Sequence, residues 1–339
     1  MRLQQRIELL FRLRNYISGG DESLQVAKNQ AYLKNNWFIP AFIDISVQNI
    51  ADGYLQEEDL LAWVKKYDIP AENYAPKRVG IVMAGNIPLV GFHDLLCVFL
   101  TGNIAAIKLS GKDEVLIRHF IEKMIEWNPA AAPYFEFHEI LKNCDAYIAT
   151  GSNNSARYFE HYFQKYPHII RKNRTSVAIL TGDETAEELA ALADDVFLYF
   201  GMGCRNVTKI YVPKGYAFEP LLEVFKKYNW MEEHHKYKNN YDYQLAVLIL
   251  GKQYYMSTPA LVLHENQQLF SPVSQLNYEF YENGTTEIVN SLIEKKDELQ
   301  CIVGREYISF GTAQQPKPDQ YADGVDTLTF LLKLTSTDK

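Results

Sequence analysis

The chain has 339 residues, 47% hydrophobic and 22% charged, as expected for a globular protein large enough for two domains. Its formal net charge of −8 argues against nucleic acid as a main partner, because phosphate backbones bind basic surfaces. The four cysteines lie far apart, without a CxxC pair or metal-ligand spacing, so we expect a reduced, cytoplasmic protein without a bound metal. The N-terminus predicts an amphipathic helix rather than a signal peptide, and no uncharged apolar run is long enough to span a membrane.

The first 75 residues favour helices. Leu3, Ile7 and Leu10 recur at helical spacing, and the two glycines at 19–20 should end that helix. A second apolar pattern over residues 60–67 predicts another short helix. No residue of this segment has an evident catalytic role.

From Arg78 onward the pattern alternates between strands and helices. A buried strand over 78–83, an apolar helix over 90–100 and a strand over 104–109 form one strand–helix–strand unit. A helix over 113–127 and a strand over 145–149 form the next unit. This alternation predicts an α/β fold with parallel strands.

Three of these strands end in small or polar residues. The sets are Gly85 and Asn86, Lys108 and Ser110, and Thr150, Gly151 and Ser152. Ligands bind at the carboxyl ends of parallel strands, so the three sets together predict a binding site. No G-x-G-x-x-G motif is present, and each set also has a structural explanation. Thr150 to Ser152 could be a turn with a helix N-cap, and Lys108 could be a solvated lysine.

Cys204 lies in a short loop, with glycines three residues and one residue before it. The loop separates a helical pattern over 184–198 from a strand pattern over 207–212. Nearby backbone N–H groups and Arg205 would favour the thiolate, so we predict that Cys204 is a nucleophile. The alternative is a small cysteine packed in the core.

The order of these motifs resembles that of the aldehyde dehydrogenase superfamily, and their residues are most similar to those of its acyl-CoA reductase (LuxC-like) family. The matching segments are Gly85–Leu89, Phe200–Val207, Phe310–Gln314 and Tyr321–Leu328. The resemblance implies an aldehyde dehydrogenase-like α/β fold, with a cofactor-binding and a catalytic domain and a cleft between them. We expect the first domain over 1–174, the catalytic domain over 175–310, and a C-terminal return over 311–339. The return contains a possible oligomerisation strand at 327–332.

The resemblance also implies a reaction. Cys204 would attack an acyl-CoA or acyl-protein thioester, and hydride from a nicotinamide cofactor would reduce the acyl-enzyme to an aldehyde. Asn86 and the backbone N–H of Cys204 would bind the oxyanion, although Asn86 could instead be a left-handed turn residue. The cofactor would be held by the strand-end residues Gly85, Lys108, Ser110, Thr150, Gly151 and Ser152.

Two departures from the superfamily pattern refine this expectation. The stretch over 170–176, where hydrolytic members have a glutamate, contains no carboxylate, which favours a thioester reductase. No carboxylate directly follows Lys108, and Ser110 and Lys112 lie there instead, which favours NADPH although NADH stays possible. The alternatives are a hydrolytic or CoA-acylating aldehyde dehydrogenase, and an idle nucleotide-binding subunit of a multi-enzyme complex. The protein could form a homo-oligomer or belong to a multi-enzyme complex.

The remaining candidates have structural explanations. His93 lies near the proposed site but is predicted to be a satisfied core histidine. The polar and aromatic stretch over 230–243 could line an acyl or pantetheine channel, or form a solvated surface loop. Cys97, Cys144 and Cys301 are predicted to be structural.

Overall fold

The computed structural model describes residues 1–282 and 284–335, and the chain forms two compact units. The first unit contains residues 1–173 and the chain from Pro316 onward, and the second contains Arg174–Gln315. The chain therefore leaves the first unit, forms the second, and returns to complete the first.

The first unit begins with helices, as the sequence predicts. They are α1 (Leu3–Ser18), α2 (Glu22–Lys34), α3 (Pro40–Asn49) and α4 (Glu57–Lys66), with a single π-helical turn at Ile50–Tyr54. The apolar face of α1, including Leu10 and Leu13, is buried. Asp21 caps α2 by accepting the N–H of Ser23 at 2.8 Å.

A five-stranded parallel sheet follows, which confirms the predicted strand–helix alternation. Its strands are β1 (Arg78–Val82), β2 (Ile104–Lys108), β3 (Phe135–Phe137), β4 (Ala146–Thr150) and β5 (His168–Arg171). The helices of this region are α5 (Phe92–Leu100), α6 (Val115–Trp127) and α7 (Asn153–Phe163). The strand order is β3-β2-β1-β4-β5, so the direction of winding reverses at β1. Such a reversal opens a crevice at the carboxyl ends of the strands, where ligands bind in sheets of this kind.

The second unit contains a six-stranded sheet in the order β11-β6-β7-β10-β9-β8. Its strands are β6 (Thr175–Ile179), β7 (Val207–Pro213), β8 (Tyr255–Thr258), β9 (Leu261–Glu265), β10 (Gln275–Tyr281) and β11 (Leu299–Val303). The edge strand β8 pairs antiparallel with β9, and the other pairings are parallel. The helices are α8 (Ala186–Phe197), α9 (Glu219–Phe225), α10 (His235–Leu250) and α11 (Thr286–Glu294). A capping box between Thr185 and Glu188 begins α8.

The predicted C-terminal strand is wrong. Residues 327–332 belong to a helix, α12 (Thr327–Thr335), which Asp326 begins by accepting the N–H of Thr329 at 2.9 Å. Leu328 and Leu331 are fully buried, and their spacing of three residues fits one helix face rather than one strand face. The threonines and the phenylalanine of the segment suggested a strand, but packing in the first unit overrides that preference. Residues 336–339 of the predicted return lie outside the described residues.

The stretch over 230–243 is not a surface loop. It contains the end of a 3₁₀ segment (Lys226–Glu233) and the first half of α10. Tyr237 and Tyr241 are buried, so this stretch contributes aromatic rings to the core of the second unit.

Across residues 1–282 and 284–335, no helix combines the length and the apolar character needed to cross a membrane.

Candidate active site

Cys204 lies in the second unit, on the connection between α8 and β7. The connection begins with a 3₁₀ turn, Leu198–Gly201, and β7 starts three residues after the cysteine. The Cys204 side chain is partly exposed and is not in a disulfide. The structure therefore does not place it in the closed core, which was the alternative explanation for this residue.

Three consecutive residues before Cys204 adopt left-handed backbone conformations. The φ angles are 55° for Tyr199, 57° for Phe200 and 72° for Gly201. Glycine tolerates the left-handed region, but this conformation costs each of the two aromatic residues roughly 1–2 kcal/mol relative to a right-handed one. Tyr199 and Phe200 are only 4% and 1% exposed, so core packing of their rings must hold the turn in place.

Asn206 fastens the other side of the loop. Its Oδ1 accepts the N–H of Gly203 at 2.7 Å. Its Nδ2 donates to three carbonyl oxygens at the end of α8 and just beyond, those of Asp195 at 3.0 Å, Val196 at 3.3 Å and Leu198 at 2.9 Å. Asn206 is fully buried, so one side chain satisfies both the helix end and the turn that carries Cys204.

Ser176 and Cys301 support the loop from the sheet. The hydroxyl of Ser176, in β6, donates to the carbonyl oxygen of Cys204 at 3.0 Å and contacts the Cys301 sulfur at 3.0 Å. Since the hydroxyl has one proton, the Cys301 thiol must be the donor to Ser176. Burial raises the pKa of the Cys301 thiol, while Ser176 and Arg205 act to lower it. Cys301 therefore remains a neutral hydrogen-bond donor next to the candidate nucleophile's backbone.

Asp195 ties the segment over 310–314 to α8. Its carboxylate accepts the N–H groups of Gly311 at 2.6 Å and Ala313 at 3.0 Å. A side chain at Gly311 would lie 3.0 Å from Ala191 of the same helix, so this approach requires glycine. Burial raises the pKa of Asp195 to about 7, and the two N–H bonds act against the rise.

In the first unit, the loop after β1 and the loop after β2 are in direct contact. A Cβ at Gly85 would lie 2.4 Å from the Ser110 hydroxyl, so the glycine allows the two loops to meet. Leu89 is the left-handed residue of the first loop, with a φ angle of 61°. Asn86 is exposed and does not adopt a left-handed conformation, so it is not the turn residue that the sequence left open as an alternative to an oxyanion donor. Asp113 holds the loop by accepting the N–H of Leu89 at 2.8 Å, and burial raises its pKa to about 7.

Thr150 is the last residue of β4, and Gly151 and Ser152 follow it. The strand β4 pairs with β1 on the side opposite to β2. Ser152 is the N-cap of α7 and accepts the N–H of Ser155 at 3.2 Å, as the structural explanation predicted. The N–H of Gly151 donates to the carbonyl oxygen of Arg171 at 3.2 Å. Lys108, the last residue of β2, is exposed.

This edge of the sheet has the chemistry that a dinucleotide requires. The crevice beside β1 lies between the loops after β1 and β4. Gly85 is the third residue after β1, and Gly151 is the first residue after β4. The first turn of α7 contains no acidic residue, so its N-terminus can accept a phosphate. An ammonium group at Lys108 and hydroxyl groups at Ser110 and Ser152 can bond to ribose and phosphate oxygens. The described residues contain no group of His, Cys, Asp or Glu side chains that could hold a metal ion.

The stretch over 170–176 contributes a buried arginine and no carboxylate. Arg171, at the end of β5, forms a buried ion pair with Asp94 of α5 at 2.7 Å. The guanidinium also donates to the hydroxyl of Thr327 at 2.8 Å and to the carbonyl oxygen of Ala322 at 2.6 Å. It thereby anchors the segment over 321–328 to the first unit.

Three other candidates occupy structural positions. His93 bonds through Nε2 to the carbonyl oxygen of Pro318 at 2.8 Å and packs against Trp63, as expected for a satisfied core histidine. Cys97 and Cys144 are buried, and burial raises the pKa of each thiol.

The sequence did not indicate the residues that hold the loops. Asn206, Ser176, Asp195 and Arg171 have no local signal, because most of their partners are distant in sequence or belong to turns that only the fold creates.

Comparison with known proteins gives a consistent family. Residues 46–225, just over half of the chain, match the acyl-CoA reductase (LuxC) family. A long-chain acyl-protein thioester reductase from Vibrio harveyi is 23% identical over 245 residues, covering 66% of this chain and 50% of the relative. The corresponding enzyme from Aliivibrio fischeri is 23% identical over 223 residues, covering 59% of this chain and 46% of the relative. The chain thus spans about half the length of the curated relatives it matches.

Solved structures share the fold, which is that of aldehyde dehydrogenases. A putative aldehyde dehydrogenase from Burkholderia cenocepacia aligns with a TM-score of 0.62 at 13% identity, covering 85% of this chain and 72% of the other. A Mycobacterium tuberculosis aldehyde dehydrogenase complexed with NAD+ aligns with a TM-score of 0.60 at 12% identity, covering 85% and 70%. The P. syringae indole-3-acetaldehyde dehydrogenase in complex with NAD+ aligns with a TM-score of 0.63 at 11% identity, covering 86% and 69%.

Proposed function

The chain belongs to the acyl-CoA reductase (LuxC) family, and from this premise we propose that it reduces an acyl thioester to an aldehyde, with Cys204 as the nucleophile. The observation that carries the proposal is the loop at Cys204. A partly exposed thiol sits on a turn whose strained backbone is fixed by Asn206, within the residues that match the family. Strain of this kind persists where function requires a fixed geometry.

In the proposed reaction, the Cys204 sulfur attacks the thioester carbonyl and forms a new C–S bond. The carbonyl oxygen becomes an oxyanion, for which we assign the backbone N–H of Cys204 and the side-chain N–H of Asn86 as donors. Collapse of this intermediate breaks the original C–S bond, and the departing thiolate takes up a proton. The acyl group is then held on Cys204.

A bound nicotinamide cofactor would supply the hydride that converts the acyl carbon to the aldehyde level. The same donors would hold the oxyanion formed when the acyl carbon is reduced, and collapse of that oxyanion would expel the Cys204 thiolate and release the aldehyde. The role of the chain is to position the thioester and to exclude water from the acyl-cysteine. The absence of a carboxylate over 170–176 supports reduction over hydrolysis, since Arg171 is committed to Asp94 and offers no base.

We assign the cofactor to the carboxyl edge of the first sheet, held by Gly85, Lys108, Ser110, Thr150, Gly151 and Ser152. NADPH is favoured over NADH because the two nearest downstream carboxylates have other partners. Asp113 is buried against the Leu89 N–H, and Glu114 pairs with Lys34. A ribose 2′-phosphate near Lys112 would therefore meet a cation and no competing carboxylate.

Incubation with radiolabelled acyl-CoA or acyl-carrier thioester tests the nucleophile. Wild-type protein should retain label on Cys204, Cys204→Ala should lose both the label and aldehyde formation, and Cys144→Ala should retain both. Asn86→Ala should acylate about a hundred- to a thousandfold more slowly, equivalent to roughly 3–4 kcal/mol of barrier. Labelling that survives Cys204→Ala would overturn the assignment.

Comparison of kcat/KM with NADPH and NADH tests the cofactor assignment. We expect the higher value with NADPH, and Lys112→Ala should reduce that value more than the value with NADH. An equal or higher kcat/KM with NADH would contradict the assignment.

A further inference from the structure

Phe200 lies four residues before Cys204, and its ring is enclosed by an aromatic cluster. The ring centroid is 4.6 Å from that of His234, 5.5 Å from that of Tyr237 and 6.2 Å from that of Trp230. Phe200 is 1% exposed and left-handed, so its ring packing and its backbone conformation must be maintained together. The shortest of the three contacts is with His234.

His234 is itself fixed in place. It is the N-cap residue of α10, and its Nδ1 accepts the N–H of Tyr237 at 3.3 Å. Tyr237 is anchored in turn, because its hydroxyl donates to the carbonyl oxygen of Ala260 at 2.7 Å. The imidazole is therefore held by the start of a 16-residue helix and cannot easily follow Phe200 if that ring moves.

We propose that His234 is a positioning residue for Cys204, acting through the ring of Phe200. The imidazole face holds the Phe200 ring, the ring holds the left-handed turn, and the turn presents the thiol and its backbone N–H. The chemical consequence rests on the proposed function, because a displaced Cys204 N–H would no longer meet the oxyanion.

Two substitutions separate the two roles of this side chain. His234→Asn retains an N-cap acceptor but loses the ring, whereas His234→Phe retains the ring but loses the acceptor. His235→Asn is a matched control, since His235 is the exposed neighbour on the same helix. Thermal denaturation of each variant monitors stability.

Hydrogen–deuterium exchange over residues 198–206 gives the direct readout. We expect faster exchange in His234→Asn, and exchange like the wild type in His234→Phe and His235→Asn. The rate of Cys204 acylation by the labelled thioester should fall about three- to tenfold in His234→Asn, the equivalent of one aromatic pair, and should be retained in His234→Phe. A purely structural role at the helix start predicts the reverse order, with His234→Phe the more damaged variant.

Exchange that is unchanged in His234→Asn, or equally fast in both His234 variants, would overturn the positioning role. Failure of wild-type protein to acylate Cys204 would instead overturn the proposed function, and the exchange measurement would still decide the role of His234.

Discussion

Replacing Asn206 with alanine should destabilise the second unit by about 3 kcal/mol. The side-chain amide has two N–H donors and one carbonyl acceptor, so we count three hydrogen bonds, and each contributes about 1 kcal/mol net to the free energy of unfolding. After the substitution, the former partners of the amide, among them the Gly203 N–H, would remain buried. Water would not readily replace the amide there, because the Asn206 side chain is fully buried. Asn239→Ala, on an exposed position of α10, should change stability by no more than about 0.5 kcal/mol.

Asn206→Asp tests the same hydrogen bonds with almost no change in side-chain shape. A carboxylate there would face three carbonyl oxygens, which raises its pKa and favours the protonated form in the folded state. A carboxyl with a raised pKa lowers stability as the pH increases, so the variant should be less stable at pH 8 than at pH 5 relative to wild type. Native-state hydrogen exchange of the β7 amides in increasing urea measures both effects. An Asn206→Ala protein with wild-type opening free energies would refute the reasoning.

Two further predictions concern the first unit. Arg171→Ala should cost about 3–5 kcal/mol because it leaves the Asp94 carboxylate buried without its partner, while Arg171→Met combined with Asp94→Leu should recover most of that loss in urea denaturation. Asp113 has a folded pKa of about 7, raised by burial from 3.8. The destabilisation caused by ionising this buried carboxyl is therefore absent below about pH 4 and complete above about pH 7. Asp113→Asn should therefore lose less stability between pH 5 and pH 8 than wild type does, and an unchanged pH dependence of the denaturation midpoint would contradict this.

The sequence predicted three of the five strands of the first sheet, β1, β2 and β4, because their signals are local. The short strands β3 and β5 were not predicted. Apolar runs such as residues 105–107 are buried on both faces, and turn residues such as Gly102 follow the helices that precede the strands. Ser152 shows the same principle, since a serine before a helical pattern is an N-cap signal within a few residues. Cys204 became the candidate nucleophile because its glycines and its position between a helix and a strand are also local features.

The interactions that hold the candidate site could not be predicted in this way. Asp195 meets Gly311 at a sequence separation of 116 residues, and Ser176 meets Cys301 at a separation of 125. These pairs depend on which strands become neighbours, and β11 joins β6 with an irregular register next to Cys301. The error at residues 327–332 has the same origin, because burial of Leu328 and Leu331 decided a segment whose own preferences pointed to a strand.

Because the second unit is inserted into the sequence of the first, the two units become able to fold at different times during synthesis. Residues 174–315 are contiguous, so this unit can begin to fold as soon as the ribosome has released it. The first unit must wait, because Ala322 and Thr327 bind Arg171, and the buried leucines of α12 come later still. Until those residues emerge, the nascent chain exposes an apolar surface and an incompletely satisfied arginine. This interval is when the growing chain would most depend on a chaperone.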